Sequence, residues 1–584
     1  MSYTKTIMTS IHLINYFVLL ILHNQIGTRA ASFNLTILHT NDCHARFVET
    51  DQNGKVCSAD TAECFGGVAR RATVVNGVRA GNPDGHVLFL DAGDQFQGTD
   101  WFYTYRGNAT AHFMNLLGYD AMVLGNHEFD NGIGGVVPFL QNVTFPVLSC
   151  NINSTSEPRL HGLYVCSHMF QMGGETVGVV GYTLKSSPEF SKTESLVFSD
   201  EIPAVRVRVD DLIASGVNKI IALGHAGLDV DKAVAREIKG VDIVVGGHSN
   251  TFLYTGDPPS NQVPVGDYPY IVHPVHDSEA SVLVLSAYAY GKYLGHLDVT
   301  FDDNGTVTDY AGNPVLLDSS VDKDPSILAA VEAWKIKVDE VSNTVIGHTE
   351  SRLNGDLATC GTQECNLGNV MADAMLFEHG MDWFGANIAM TTSGSIASSV
   401  EAGNVTTGDL ITIMPYGNTI DKVRLMGSDL LQVLEVAMMT FDQTTPIYSF
   451  LQVSGMVIEY DLTKESGNRV YRAQFRCRTC TDDGTNDLMD IDPEAHYEVI
   501  TNSYMAAGGG GFDVIRDNKL DHISGNGDIE VTSNYITSNS PLNQAVEGRI
   551  ILYDEFNRPN SSPNLRPAFG LLIALFLLAT CHIY

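Results

Sequence analysis

The sequence has few basic residues. Its 584 residues include 34 lysines and arginines against 68 aspartates and glutamates, which gives a formal net charge of −34. Proteins that hold nucleic acids use clusters of lysine and arginine, which release counterions from the phosphate backbone. The composition therefore argues against a nucleic-acid polymer as a partner.

Charged residues of both signs are also scarce, at 17%, whereas hydrophobic residues make up 44%. Disordered chains show the opposite balance, so long disordered regions are not expected. The sequence also lacks internal repeats and low-complexity tracts. At about 100–200 residues per domain, its length allows roughly two to four globular domains.

The amino-terminal end differs from this acidic body. A single basic residue, Lys5, precedes an apolar run over residues 11–22, and the small residues Ala30 and Ala31 follow it. The run is too short to cross a bilayer comfortably. Residues 1–30 are therefore predicted to be a secretory signal peptide.

The carboxyl-terminal end, residues 555–584, carries a second apolar segment. The small residues 560–562 are followed by a polar spacer and then by an apolar tail that begins at Ala568. No basic cluster follows the tail, and this pattern is typical of a GPI-anchor signal. The alternative is a single-pass anchor without a cytoplasmic part. The expected location is the extracellular face of the plasma membrane, where a lipid anchor holds the protein.

Ten cysteines fit the oxidising secretory pathway. Short loops predict three disulfides, which are Cys57–Cys64, Cys360–Cys365 and Cys477–Cys480. Cys150 and Cys166 flank a polar loop and form a fourth candidate pair, which leaves Cys43 free in the mature chain. The Cys-x-x-Cys pair also fits half a zinc site, but no second pair lies near it. Glycosylation sequons fit an extracellular protein and occur at Asn34, Asn108, Asn142, Asn153, Asn304 and Asn404.

The first half of the mature chain alternates apolar strands, loops and helices. Strands are predicted at Leu35–Leu38, Val87–Leu90, Ala121–Leu124, Val177–Val180, Lys219–Leu223 and Ile243–Val245. Their valine, isoleucine and leucine residues form continuous runs instead of alternating with polar residues. Such strands are buried on both faces, as in a layered α/β domain.

A helix from Pro325 to about Val341 is predicted to link this domain to a second, α+β domain. The second domain mixes both types of element. The predicted elements are helices at Gly368–Glu378 and Ser428–Met439 and strands at Val453–Tyr460 and Tyr497–Thr501. The expected organisation is a first domain over residues 31–324, a linker over 325–345 and a second domain over 346–554.

Five predicted strands of the first domain run into polar residues that commonly bind metals. These candidates are Asp42 and His44, Asp94, Asn126 with His127 and Asp130, His225, and His248 with Asn250. The carboxyl ends of strands converge on one crevice in layered α/β folds. We therefore expect these side chains to meet.

Carboxylate, imidazole and amide groups together suit a divalent ion such as zinc or manganese. Any one of these histidines alone would more often have a structural role, so the hypothesis rests on the ordered set of motifs. The set is too large for one tetrahedral ion and fits two ions that share Asp94. Two ions about 3.5–4 Å apart can clamp a phosphoryl group for in-line attack.

The order Asp-x-His, Gly-Asp, Gly-Asn-His-Glu, Gly-His, Gly-His-x-Asn resembles the metallophosphoesterases. Longer strings, at residues 35–42, 90–99 and 246–256, are similar to those of animal ecto-5′-nucleotidases and related apyrases. The resemblance spans about residues 33–553. It implies a layered metallophosphoesterase domain, a helical linker and a 5′-nucleotidase carboxyl-terminal domain. It also implies that the protein hydrolyses nucleoside 5′-phosphates such as AMP.

The resemblance assigns roles to the candidate residues. It implies one metal held by Asp42, His44, Asp94 and Asn250, and another held by Asp94, Asn126, His225 and His248. It places His127 and Asp130 in a catalytic dyad. Zinc is the first expectation for both ions, with manganese or cobalt as alternatives. The resemblance leaves open whether the protein forms a homodimer.

The second domain departs from the family at its substrate-contact positions. Tyr416 and Tyr504 stand where two aromatic rings sandwich the base, and tyrosine keeps the flat face that stacking needs. Gly361 and Ala397, in contrast, replace two arginines, and Gly510 replaces a carboxylate. The run of glycines around Gly510 lacks the full Walker pattern and indicates a turn instead of a phosphate loop.

Losing two guanidinium groups costs about 1.5–3 kcal/mol per charged hydrogen bond to a phosphate. The sequence therefore leaves three outcomes open. The protein is a nucleotidase of low affinity, a phosphohydrolase with a shifted substrate such as ADP or ATP, or a weakly active or inactive homologue that binds nucleotide or protein at the cell surface. A metal-free ectodomain is a more distant alternative. Because the linker separates the metal residues from the base-binding residues, catalysis is expected to require closure of the two domains.

Overall fold

The computed structural model describes residues 32–52, 54–57, 61–380, 386–476 and 488–555. The predicted signal peptide, the predicted anchor signal from residue 556 onward and the predicted Cys477–Cys480 pair lie outside these residues. Among the described residues, no helix is both long enough and apolar enough to cross a membrane.

The first body contains two large sheets. Its strands are β1 Phe33–Thr40, β2 Val87–Asp91, β3 Ala121–Val123, β4 Val147–Leu148, β5 Ile152–Asn153, β6 Ser167–Met172, β7 Glu175–Thr183, β8 Val197–Phe198, β9 Ile220–His225, β10 Ile243–Gly246, β11 Tyr270–Val272, β12 Val282–Leu285, β13 Tyr293–Phe301, β14 Val307–Ala311 and β15 Val315–Leu316. One sheet has the order β14-β13-β1-β2-β3-β4, with β15 also on β13, and the other has the order β11-β12-β10-β9-β7-β6. Every strand predicted for this domain is present, with small shifts at the ends.

Both faces of these sheets are covered, which explains the continuous apolar runs. Ile37 and Leu90 point into a core between the two sheets. Their neighbours Leu38 and Phe89 point the other way, into a core shared with helices. The covering helices of this body are α1 Val68–Gly81, α2 Asp100–Tyr105, α3 Gly107–Leu117, α4 Gly132–Asn142, α5 Glu201–Ala214 and α6 Leu228–Glu237. The result is a four-layer helix–sheet–sheet–helix sandwich.

The predicted linker helix, α7, runs from Pro325 to Ser342. Asp324 caps it by accepting hydrogen bonds from two backbone N–H groups, and proline suits its first position. Val331 and Val338 are buried in the core of the first body. The helix is therefore packed against that body along its length and is not a free spacer.

The second body mixes smaller sheets with helices. Its strands are β16 Val345–Thr349, β17 Ala386–Thr392, β18 Gly403–Thr406, β19 Ile420–Met426, β20 Leu451–Ser454, β21 Met456–Asp461, β22 Val470–Arg476, β23 Leu488–Asp490, β24 His496–Asn502, β25 Asp521–Ile523 and β26 Ile550–Tyr553. Its helices are α8 Leu357–Cys360, α9 Asn366–Gly380, α10 Thr407–Ile413, α11 Gly427–Ala437, α12 Ser503–Ala506, α13 Asp513–Asn518 and α14 Asp528–Asn539. The principal sheets have the orders β20-β17-β24-β19-β25 and β23-β22-β21-β26.

One strand predicted for this body is wrong, because the structure divides it into two strands. The run Val453–Tyr460 divides into β20 and β21 at Gly455, and the two halves join different sheets. Gly455 has φ 73°, and a Cβ there would lie 1.8 Å from the Asn387 carbonyl oxygen. The chain turns sharply at this point because only glycine fits both constraints.

The structure forms the disulfides Cys57–Cys64 and Cys360–Cys365. The fourth candidate pair is wrong, because Cys150 and Cys166 are free thiols. The backbone of Gly181 lies between them, since it accepts a hydrogen bond from the Cys150 N–H and donates one to the Cys166 carbonyl. Cys43 is free and buried, with its Sγ 3.4 Å from a nitrogen of Arg71.

Candidate active site

The predicted metal-binding residues lie at the carboxyl ends of parallel strands from both large sheets. Asp42 and His44 follow β1, and Asp94 follows β2 in the same sheet. His225 ends β9 and His248 follows β10 in the other sheet. The site therefore bridges the ends of the two sheets, and side chains that are distant in sequence meet there.

The backbone around these residues is unusual. Left-handed φ angles occur at five of the candidate ligands, which are Asp42 (51°), His44 (48°), Asp94 (56°), His248 (75°) and Asn250 (50°). Such angles are uncommon for residues with a side chain and cluster at functional sites. Tertiary packing holds them, and the sequence carries no sign of them.

Two glycines allow the loops to approach each other closely. A Cβ at Gly125 would lie 2.2 Å from Asp94 Oδ1, and a Cβ at Gly247 would lie 2.5 Å from the Ala92 carbonyl oxygen. Any other residue would therefore push apart the loops that carry the candidate ligands.

Asp94 lies at the centre of the cluster. Its Oδ2 is 3.0 Å from His225 Nε2, and its Oδ1 accepts a hydrogen bond of 2.9 Å from the His127 backbone N–H. Potential ligand atoms of Asp94, His225 and His248 lie within 4.8 Å of one another, and the same is true of His44, Asp94 and His127. Asp94 is common to both groups, which matches the position expected of a bridging carboxylate.

The remaining polar groups orient the candidate ligands. The Asn126 Oδ1 lies 3.0 Å from His248 Nδ1. Asp42 accepts hydrogen bonds from the His248 backbone N–H at 3.0 Å and from the Asn41 side chain at 2.7 Å. Asn250 is exposed and lies in the wall of the adjoining cleft.

In two of the imidazoles, Nδ1 lies within hydrogen-bonding distance of a backbone carbonyl oxygen. His225 Nδ1 lies 2.7 Å from the Ala92 carbonyl oxygen, and His44 Nδ1 lies 3.0 Å from that of Phe96. In a neutral ring, an Nδ1–H that donates to a carbonyl leaves Nε2 with its lone pair. This arrangement is the one that metal-binding histidines use.

The electrostatics differ among the candidate ligands: the neighbouring Asp94 outweighs burial and raises the pKa of His225 to about 10, whereas two other imidazoles are held neutral. Burial lowers the pKa of His44 to about 3 and that of His248 to about 4, so both rings are neutral near pH 7 and keep a lone pair. Burial alone would raise the pKa of Asp94, but the neighbouring His225 and His127 outweigh it and hold that pKa well below its usual range. The donor set of oxygens and nitrogens, without a thiolate, fits borderline divalent ions.

His127 begins a turn of 3-10 helix beside the cluster, and Asp130 is the residue that follows this turn. Their side chains form a hydrogen bond of 2.7 Å between His127 Nδ1 and Asp130 Oδ2. Ser191 donates a hydrogen bond of 2.6 Å to the other carboxylate oxygen of Asp130. The predicted pair is therefore part of a chain of three residues. Ser191 was not predicted, because it is distant in sequence and lies in no motif.

Glu128 is a second residue whose role the sequence did not reveal. Its buried carboxylate accepts backbone hydrogen bonds from two loops, namely from Asp94 (3.1 Å), Gln95 (2.9 Å), Phe96 (3.2 Å) and Gly125 (2.7 Å). It joins the loop after β2 to the loop after β3. The motif Gly-Asn-His-Glu contains Glu128, but only the folded chain shows what its carboxylate bonds to.

A cleft of about 1100 Å³ lies between the two bodies and opens onto the cluster. His44, His127 and Asn250 line it on one side, and Tyr416 and Tyr504 line it on the other. The two tyrosine rings are 53% and 51% exposed. The structure thus places the predicted base-binding residues in the same cavity as the predicted metal and dyad residues.

The substituted positions differ in their surroundings. Ala397 is exposed in the cleft wall, and Gly510 also lines the cleft. Gly361, however, has no room for a side chain, because its Cβ would lie 2.7 Å from the Leu357 carbonyl oxygen and 2.8 Å from that of Ile447. The restoration of an arginine is therefore sterically feasible at position 397 and not at position 361.

The glycine run at residues 508–511 forms a tight turn, as the sequence indicates. Gly508, Gly510 and Gly511 have φ angles of 91°, 72° and 90°. A Cβ at Gly509 would lie 2.4 Å from the Tyr504 ring. The run thus allows the turn to pack directly against one of the two predicted base-binding rings.

Comparisons with known proteins agree with this geometry. Residues 35–252 match the calcineurin-like phosphoesterase family, and residues 345–517 match the 5′-nucleotidase carboxyl-terminal domain. A 5′-nucleotidase of Mus musculus is 46% identical over 559 residues, which are 94% of this chain and 95% of that protein. A 5′-nucleotidase of Bos taurus is 45% identical over 533 residues, which are 89% and 91% of the two chains.

A solved structure shares the whole arrangement. The 5′-nucleotidase precursor of Thermus thermophilus is 36% identical, with a TM-score of 0.64 over 90% of this chain and 100% of that chain. The fold and the site therefore define a two-domain metallophosphoesterase, which confirms the predicted fold class. More narrowly, the chain belongs to the 5′-nucleotidase family. Membership in this class of metal-dependent hydrolases implies divalent metal ions, and the residues described above fit them.

The role of Glu128 can be tested by Glu128→Gln. The amide would place a donor opposite backbone donors, so we expect a loss of about 2–3 kcal/mol in the free energy of unfolding. We also expect a lower zinc content after dialysis against zinc, measured by elemental analysis. Glu332→Gln, at an exposed position on α7, is the matched control. Full zinc content together with unchanged stability in Glu128→Gln would contradict the assignment.

Proposed function

We propose that this protein hydrolyses nucleoside 5′-monophosphates such as AMP to nucleoside and phosphate. The observation that carries the proposal is the shared cleft, in which a cluster of metal-type ligands lies opposite two exposed tyrosine rings. One cavity can therefore hold a phosphate at one end and a flat base at the other. The names of the relatives, all 5′-nucleotidases, support the same activity.

We assign one divalent ion to Asp42, His44, Asp94 and Asn250, and a second to Asp94, Asn126, His225 and His248. The shared position of Asp94 and the contacts that Nδ1 of His44 and of His225 makes with a carbonyl oxygen support this assignment. Zinc suits the mixed nitrogen and oxygen donors best, and manganese or cobalt would also fit. Such ions, when bound, supply Lewis-acid stabilisation of phosphoryl oxygens and an acidified water.

The proposed dyad acts beside these ligands. His127 lines the cleft, and its Nδ1 is held by Asp130, so its Nε2 is available to the phosphate. A protonated imidazole there would stabilise the negative charge that develops in the transition state. Asp130 keeps the ring oriented and favours its charged form, and the hydrogen bond from Ser191 in turn fixes Asp130.

The base is held in this proposal by Tyr416 and Tyr504. Their exposed rings lie in the second domain, whereas the metal ligands lie in the first, so both domains must contribute to one bound substrate. Polar contacts occur between the domains. Examples are the hydrogen bond of 3.1 Å from Lys192 Nζ to Asn526 Oδ1 and the Lys519–Glu189 ion pair at 3.7 Å. Such contacts are compatible with opening and closing.

The roles of the ligands and the dyad predict different variant behaviour. With zinc or manganese present, the protein should release phosphate from AMP. Asp94→Ala should lose turnover and bound metal together, because it removes the shared carboxylate. His127→Ala should keep its metal content and lose about 100–10,000-fold in kcat, which is the usual range for acid–base and electrostatic groups.

The matched control is His276→Ala, because His276 is an exposed histidine outside the cleft. It should behave as the unaltered protein does. Turnover that survives Asp94→Ala would exclude the proposed centre, and loss of metal in His127→Ala would make His127 a ligand instead of a dyad residue.

One observation favours a low-affinity or altered enzyme as the second candidate. The residues of the second domain that line the cleft carry no charged side chain in the described part of the chain. A nucleotidase with weak phosphate binding, an apyrase-like hydrolase of ADP or ATP, or a surface protein that binds nucleotide without turnover would each fit such a wall.

Ala397→Arg distinguishes these candidates. The exposed position accepts a long side chain, and one charged hydrogen bond to phosphate should raise kcat/KM for AMP about tenfold. Ala397→Gln, which adds length without charge, is the control. A gain with arginine alone indicates a pocket that has lost affinity for its substrate. No gain indicates a pocket adapted to another ligand, which a phosphate-release panel over AMP, ADP, ATP and simple phosphate esters would identify.

We further propose that the mature protein is held on the extracellular face of the plasma membrane by a GPI anchor. The apolar tail from Ala568 and the disulfides of the folded body support export and anchoring. Treatment of intact cells with a phosphatidylinositol-specific phospholipase C should release the activity into the medium. A chain that ends at Glu555 should be secreted without treatment. Activity that stays on treated cells would favour the single-pass alternative.

A further inference from the structure

A third tyrosine faces the substrate cleft. Tyr448 lies in the segment Pro446–Ser449, between α11 and β20, and all four residues of this segment line the cavity that Tyr416 and Tyr504 also line. Its side chain is 70% exposed, more than either of those two. An exposed aromatic ring in a cleft contributes little to folding and is available to a ligand.

The backbone of this segment is firmly held although the ring is free. The Ile447 N–H donates a hydrogen bond of 3.1 Å to the Gly361 carbonyl oxygen. The Gly394 N–H donates one of 2.9 Å to the Tyr448 carbonyl oxygen, and Ser393 Oγ donates one of 2.7 Å to that of Ile447. A ligand that contacts the ring therefore need not order the chain that carries it.

Two glycines make this placement of the segment feasible. A Cβ at Gly361 would lie 2.8 Å from the Ile447 carbonyl oxygen, and a Cβ at Gly394 would lie 3.0 Å from that of Tyr448. The absence of a side chain at position 361 thus has a structural consequence. The backbone that carries Tyr448 fills the space that a side chain at position 361 would need. The glycine at this position and the location of the Tyr448 ring therefore depend on each other.

Tyr448 also belongs to a group of phenols. Burial raises the pKa of Tyr416, and the nearby hydroxyls of Tyr290, Tyr448 and Tyr504 raise it further. The four rings are therefore close enough to interact around one part of the cleft. No charged group of the second domain lines the cleft beside them in the described residues.

We propose that Tyr448 is a specificity-determining residue whose ring contacts the nucleoside of the substrate. The wall formed by Tyr416, Tyr448 and Tyr504 recognises its ligand by aromatic contact instead of by charge. The proposal rests on the nucleotidase function proposed above and adds to it a third residue that contacts the base.

Kinetics with two substrates test this role. Tyr448→Ala should raise KM for AMP about tenfold, since stacking of a base on an aromatic ring is worth about that factor. It should leave kcat for AMP and both constants for ribose 5-phosphate within about twofold. Tyr448→Phe, which keeps the ring, should resemble the unaltered protein. Tyr310→Ala, at a tyrosine on β14 that is 42% exposed and outside the cleft, is the matched control.

Two kinetic outcomes would overturn the proposal. An equal rise in KM for AMP and for ribose 5-phosphate would show that the variant disturbs the phosphate end of the site. An unchanged KM for AMP in Tyr448→Ala would show that the ring does not contact the base.

Adenosine binding separates this proposal from the proposed reaction. Calorimetry measures binding without turnover. Because adenosine carries no phosphate, the affinity of the protein for adenosine reports on the aromatic wall alone. The unaltered protein should bind adenosine, and Tyr448→Ala should bind it about tenfold more weakly, whereas Tyr448→Phe should not differ. If AMP is not hydrolysed but this pattern holds, the nucleotidase proposal fails and the aromatic contact stands. If adenosine binds equally to Tyr448→Ala, or does not bind at all, the role of Tyr448 is refuted.

Discussion

The geometry of the active site depends on the carboxylate of Glu128. Four backbone N–H groups, from residues 94–96 and from Gly125, converge on its two oxygens. These bonds join the loop that carries Asp94 to the loop that carries Asn126 and His127. Because Asp94 belongs to both candidate metal groups, its position sets the spacing of the whole cluster. A buried acceptor with this many donors is costly to disturb, so Glu128 fixes the loops that carry the candidate ligands.

The surrounding protein sustains a backbone that isolated loops would not adopt. Asp42, Asp94 and His248 hold left-handed φ angles, each at a cost of about 1–2 kcal/mol. The loops start from strands that are buried on both faces in a four-layer sandwich, and this rigid base restricts how they can relax. Gly125 and Gly247 then allow the loops to approach each other more closely than a Cβ at either position would permit. Strain and close packing together preorganise the candidate ligands.

The substrate side of the cleft follows a different principle. There, close backbone approach at Gly361 and Gly394 positions the segment that carries Tyr448. The resulting wall is neutral and aromatic in the described residues, in contrast to the first domain, which supplies the cluster of carboxylates and imidazoles. Stacking depends on area and shape and is less sensitive to salt than ion pairing. In the function we propose, the two domains divide recognition between charge on one wall of the cleft and aromatic surface on the other.

The order of motifs in the sequence determined the fold class and the strands that carry Asp42 or His225, because the carboxyl ends of parallel strands in one sheet share an edge. The tertiary structure decided that the edges of two different sheets meet at the site. Local pattern could not show that Ser191 supports Asp130, that β20 and β21 part at Gly455, or that Cys150 and Cys166 are free thiols. It also could not show that Gly361 accommodates a backbone segment. Those features were decided by the tertiary structure alone, because each depends on atoms that residues distant in sequence bring within a few ångströms of one another.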